Sequence, residues 1–98
     1  MSGLFWLAGP IWAADAWCLR LGEVAEAAVV AREAGVPLET ALTTVEQVAM
    51  TDAVRRAVRA NTYAGYEGAE TAAQARQRAI RICQEAAAQV EADVRAHR

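Results

Sequence analysis

A chain of 98 residues has room for one small domain, and 25 alanines against nine leucines and isoleucines leave that domain a thin core of small side chains and valine. The net charge of −2 gives no global attraction to nucleic acid or to an anionic membrane surface, and a single histidine, His97, leaves almost no material for imidazole catalysis or a histidine-rich metal site. Aromatic residues at 6% and the lack of Asn-Gly or Asp-Gly hairpin turns argue against a β fold and for an all-α one.

The opening stretch, Gly3–Ala16, admits two readings. Leu4, Phe5, Trp6, Leu7, Ile11 and Trp12 form an apolar run of signal-peptide length, and Ala14-Asp15-Ala16 has the small-x-small pattern after which signal peptidase cuts. On this reading residues 1–16 are an export signal, residues 17–98 are the single all-α domain, and the protein is periplasmic or secreted. On the other, Leu4–Trp17 is a short N-terminal helix, broken near Gly9-Pro10, whose tryptophans cover part of the domain, and the protein is cytoplasmic. Met1-Ser2-Gly3 carries no basic side chain, Asp15-Ala16-Trp17 is not a lipoprotein box, and the run falls short of the about 20 residues that a membrane span needs. Export is the expectation.

Residues 17–34 are predicted as the first long helix of the domain. Trp17, Leu21, Val24, Ala25, Ala28 and Val29 recur at spacings of three and four with Cys18 at their edge, while Glu23, Glu26 and Glu33 lie opposite. Gly35 supplies the left-handed position that ends a helix, and Pro37 presets the start of the next. A second, short helix follows with Leu38, Ala41, Leu42, Val45, Val48 and Ala49 inside. Thr51 caps a third, with Asp52 in its first turn, an inner face of Val54, Ala57 and Val58, and Asn61 among them. The two glycines of Ala64-Gly65-Tyr66-Glu67-Gly68 predict a loop.

Thr71-Ala72-Ala73-Gln74 is a capping-box pattern opening a helix that runs to about Ala96. Ala73, Ile80, Ala87 and Val94 alternate with Arg76, Cys83, Val90 and His97 in a heptad-like seam. At nearly 40 Å this helix is expected to outreach its partners, so its second half needs a cover. Leu4–Trp12 supplies one if retained, with Trp6 and Trp12 on Ala87, Val90 and Val94; if it is removed, that half is exposed, frayed or paired with another chain, a homo-oligomer through the C-terminal helix being one such pairing. The expected architecture is a compact four-helix, bundle-like domain with a long C-terminal helix.

Cys18 and Cys83 are the only cysteines, and an even count in a short exported chain suggests one disulfide between the first and last helices. Two buried thiols acting as small hydrophobes are the plainer alternative in a reducing compartment. Their wide spacing is unlike that of redox-active pairs, and too few ligands surround them for a metal.

On helix three, Arg55, Arg56, Arg59, Tyr63 and Tyr66 project to one side at 100° per residue. Arginine forks suit carboxylate or phosphate and tyrosine suits an interface, so these five are the candidate partner-binding residues. A solvated face with arginines lying over alanine accounts for them more simply. The acidic balance favours a protein partner over nucleic acid. Ser2 is the only serine, no nucleophile elbow, phosphate loop or HExxH occurs, and the carboxylates scatter over outer faces, so no catalytic residue, metal or cofactor is predicted.

The layout of Cys18, an alanine-rich helix, Gly35-Val36-Pro37-Leu38-Glu39, two further helices and Cys83 resembles small exported bacterial all-α proteins. It also loosely resembles the periplasmic acid-stress chaperones, which are short, helical and clipped by one disulfide; their lysines are missing here and the cysteine separation differs, so no residue roles carry over. The expected function is protein binding by an exported inhibitor, immunity factor, chaperone or envelope accessory. Two others remain open: a cytosolic, mobile-element-encoded regulator that uses the Arg/Tyr face on a protein or nucleic acid, and an envelope structural protein held by its N-terminal run.

Overall fold

The computed structural model describes residues 9–47 and 51–97, without the side chains of residues 9–14 and 46. Four helices account for nearly all of it: α1 (Gly9–Glu33), α2 (Leu38–Glu46), α3 (Asp52–Glu67) and α4 (Ala72–Ala96), and no strand occurs among the described residues. The chain runs up, down, up and down, with α1 as the shared element. It packs against α4 on one side and α3 on another, whereas α2 rests chiefly on α3. This is the all-α, four-helix arrangement expected.

Three local signals act as their chemistry demands. Gly35, at φ +79°, closes α1 in a Schellman motif in which Gly35 N–H donates to Arg32 O (3.0 Å) and Val36 N–H to Ala31 O (2.9 Å). The Thr51 hydroxyl accepts from Val54 N–H at 3.3 Å and starts α3. At α4, Gln74 N–H donates to Thr71 Oγ1 while Thr71 N–H donates to Gln74 Oε1, a complete capping box.

The boundaries differ from expectation in three places. α1 begins at Gly9, not Trp17, so the chain from Pro10 to Ala16 is continuous with the domain's first helix and α1 equals α4 at 25 residues. Proline in a first turn costs no hydrogen bond, because its missing N–H is one of the donors a helix start leaves unpaired, so Pro10 fits the first turn of α1; the chain before Gly9, where a break was expected, lies outside the described residues. α2 ends at Glu46 with Gln47 as its cap, and Val48 and Ala49 lie outside the described residues. α3 continues through Gly65 to Glu67, where a loop was predicted.

Gly65 stays helical because of what it faces. It is buried against α1 so closely that a Cβ there would collide with the Ala25 carbonyl oxygen. Gly22 makes the matching approach to α4, where an added Cβ would stand 2.7 Å from Ile80 Cγ1. Between these points the core is built of Ala25, Val29, Ala75 and Ala79, with Ala72 packed on it. Small residues let the helices approach closely, which partly offsets the apolar area they lack. Thr62, the one buried polar residue among those described, turns its hydroxyl back to Val58 O at 2.8 Å and leaves nothing unsatisfied.

Cys18 and Cys83 join α1 to α4 at disulfide distance, 2.13 Å between sulfurs and 5.4 Å between Cα atoms. Glu26–Arg76, at 4.0 Å, bridges the same two helices. Beyond Cys83 toward the C-terminus, every described residue of α4 is exposed, Val90 at 63% and Val94 at 51%. Trp6 and the side chain of Trp12, expected as their cover, lie outside the described residues.

Candidate functional site

The α3 helix positions the five arginines and tyrosines singled out in the sequence, and its surroundings sort them. Val58, Thr62 and Gly65 turn inward, which fixes the rotation of α3 about its axis. At 100° per residue the five candidates follow on one flank. Arg56 and Arg59 are exposed and Tyr63 is 37% exposed. The Arg59 guanidinium lies over the Tyr63 ring, 5.7 Å from its centroid, so the two form a cation–aromatic pair on the outer surface.

The remaining two are drawn into the fold. Arg55 is half-buried and its Nη1 meets Asp52 Oδ1 at 3.0 Å across one helical turn. Tyr66 is also half-buried, and its hydroxyl donates to Val36 O at 2.5 Å, tying α3 to the α1–α2 loop. The outward-facing part is therefore Arg56, Arg59 and Tyr63, with Arg55 and Tyr66 at its border.

Arg32 is a structural residue that the sequence pattern did not single out. It stands in the last turn of α1, where a cation suits the helix's own dipole, and periodicity alone gives it no other part. In the fold its guanidinium reaches across to α3 and donates to Gly65 O (3.5 Å), Tyr66 O (3.4 Å), Gly68 O and, through Nη2, Glu70 O (3.2 Å). Gly65 and Tyr66 belong to the last turn of α3, whose carbonyls a helix end leaves without intrahelical partners, and Gly68 and Glu70 lie in the turn that follows. One side chain thus closes α3 and orders the turn into α4. Arg78 extends the arrangement, donating from Nε to Glu70 Oε1 at 2.7 Å.

Three further carboxylates sit in ion pairs on outer surfaces: Glu23 with Arg20 (3.4 Å), Glu85 with Arg81 (3.7 Å) and Glu91 with Arg95 (2.5 Å). Among the described residues no group of three His, Cys, Asp or Glu is gathered as a metal site would require, and no helix is long and apolar enough to cross a membrane. An apolar hollow of about 270 Å³ opens between α1, α2 and α3, lined by Val24, Ala28, Val36, Ala41, Val45 and Thr62. A second, of about 320 Å³, lies beside the disulfide among Trp17, Leu21, Ala86, Ala87 and Val90. Comparison with protein-family models, with curated proteins and with solved structures finds no match.

Proposed function

We propose that this is a small exported protein that acts by binding another protein, of inhibitor, immunity, chaperone or envelope accessory type, through the outer side of α3. The observation that carries the reading is the exposed Arg59–Tyr63 pair beside exposed Arg56. A guanidinium held over an aromatic ring is partly pre-organised, and arginine and tyrosine are residues on which interface energy concentrates. Two forks on a surface of this kind suit a partner presenting carboxylates. The disulfide supports an oxidising compartment, where such bonds persist. The alternative is a cytosolic regulator that uses the same side of α3.

The experiment is affinity purification from the native host with the wild-type chain and with Arg56→Glu/Arg59→Glu. One acidic protein is expected with the wild type, recovered about tenfold less with the variant, while both retain the same helical circular dichroism. Equal recovery removes the α3 surface from the reading. Intact-mass measurement on the native protein separates the compartments: a start at Trp17 with bonded cysteines supports export, whereas a retained N-terminus with free thiols favours the cytosolic alternative.

A second reading rests on a different observation. Val90 and Val94 continue the helical side of α4 that carries Cys83, and both are more than half exposed. Heptad spacing with an alanine-rich seam suits a second copy of α4, giving a homo-oligomer through the C-terminal helix.

A further inference from the structure

The two bonded sulfurs stand in unequal surroundings. Both line the hollow formed with Trp17, Leu21, Ala86, Ala87 and Val90, but Cys18 is 1% exposed whereas Cys83 is partly exposed. The bond also sits at a boundary. Below it, α1 and α4 are packed through Gly22, Ala25, Val29, Ala72, Ala75 and Ala79, and α1 is held to α3 by Arg32. Above it, the described side chains of α4 are all exposed.

We propose that the Cys18–Cys83 bond is a latch opened by a dithiol reductant entering at Cys83, and that opening releases the upper ends of α1 and α4 while the lower contacts hold. The bond lacks the close spacing of a dithiol catalyst, its partners standing 65 positions apart in sequence. Its unequal access suits a latch instead. A reductant thiolate attacks Cys83 Sγ, where a new S–S bond forms; the Cys18–Cys83 bond breaks, and its electron pair leaves on Cys18 Sγ, which takes up a proton. The reductant's second thiolate then attacks its own sulfur in the mixed disulfide and expels Cys83, which is protonated in turn. The reductant ends as its disulfide, and the protein has gained two electrons and two protons.

Held beside Cys83 by the packed helices below, Cys18 re-forms the bond faster than a monothiol can complete the exchange. Glutathione is therefore expected to give a mixed disulfide but little net opening, and dithiothreitol to open the latch fully. Opening uncovers Leu21 and the α4 side that faces it.

The test uses the wild-type chain. Glutathione is added, the exchange is stopped with acid and N-ethylmaleimide, and the adducts are mapped by mass spectrometry. Glutathione is expected on Cys83 and the maleimide on Cys18, in a ratio of about ten to one or more, as access dictates. After full reduction by dithiothreitol, helical circular dichroism is expected to persist. Amide protection should then fall by about tenfold in residues 17–20 and 83–90 and stay within about twofold in residues 22–32 and 72–80. Glutathione mainly on Cys18, loss of helicity along the whole chain, or unchanged protection beside the cysteines would each overturn the proposal.

Discussion

Gly65 of α3 lies against the carbonyl of Ala25 in α1 with no space for a side chain between them, and a Cβ added there would also stand 3.0 Å from Ala28 Cβ. At Gly22 the obstacle is different in kind: Ile80 Cγ1 at 2.7 Å and Cδ1 at 2.9 Å, the movable part of a side chain. Gly65→Ala is expected to cost about 2–3 kcal/mol, because two backbones must separate to admit it. Gly22→Ala recovers up to about 1 kcal/mol of helix propensity against a turned Ile80, and should fall within about 1 kcal/mol of neutral. Urea-unfolding midpoints at constant slope distinguish the two. Equal losses would mean that α1 meets α3 and α4 with the same tolerance.

These glycines mark where sequence patterns stop informing the fold. Gly35, Thr51 and Thr71 act within a few residues of themselves, so their caps were legible from neighbours alone. A glycine inside a helical pattern signals either a break or a close approach, and the choice between them lies in the facing helix. Pro10 is ambiguous in the same manner, a stop or a start according to whether a helix precedes it. The cysteine pair was legible because only one pairing exists. The arginine–tyrosine flank of α3 followed from helical geometry, but the Tyr66 and Arg32 partners lie some thirty residues away and leave no local trace.

Arg32 donates to four carbonyls of the α3 end and the following turn, three of them through one nitrogen. Hydrogen bonds with a charged partner are worth about 1.5–3 kcal/mol together with the desolvation they relieve, so Arg32→Ala is expected to destabilise by about 2 kcal/mol. Arg32→Lys should recover less than half, because an ammonium lacks the planar fork that spans Gly68 and Glu70. Hydrogen exchange is the sharper readout, with protection lost first at residues 65–70. Loss spread evenly over all four helices would argue that Arg32 acts through packing alone.

Tyr66 contributes a single hydrogen bond, from its hydroxyl to Val36 O. Tyr66→Phe keeps the ring and removes only that donor, so a loss of about 1 kcal/mol is expected. The effect should concentrate at the α1–α2 loop, seen as faster exchange at residues 36–41. Because Arg56 and Arg59 remain in place, partner recovery should be unchanged in this variant, which separates the fold-supporting tyrosine from the surface-facing one.

Removing the covalent link tests how far the small-residue core stands by itself. Closing a loop of this separation restricts the unfolded chain by about 4 kcal/mol in the chain-entropy argument, a large share of the net stability of a domain this size. Cys18→Ser with Cys83→Ser is therefore expected to lower the melting midpoint by about 20 °C while leaving a helical protein at 25 °C. An unfolded double variant at that temperature would mean that alanine packing between α1 and α4 cannot hold without the bond.

The exposed end of α4 gives the clearest test of self-association. Val90 and Val94 lie on the side that carries Cys83, and in a pair of α4 helices they would occupy adjoining seam positions. The wild type is then expected to sediment as a dimer at tens of micromolar, and Val90→Asp with Val94→Asp as a monomer of unchanged helicity. Stability of the monomer should shift by less than about 0.5 kcal/mol, since both valines are already largely in water. A wild type that sediments as a monomer removes the second reading and leaves the α3 surface untouched. A variant that stays dimeric would move the contact off α4, and Arg56→Glu/Arg59→Glu in the same experiment would show whether α3 carries it instead.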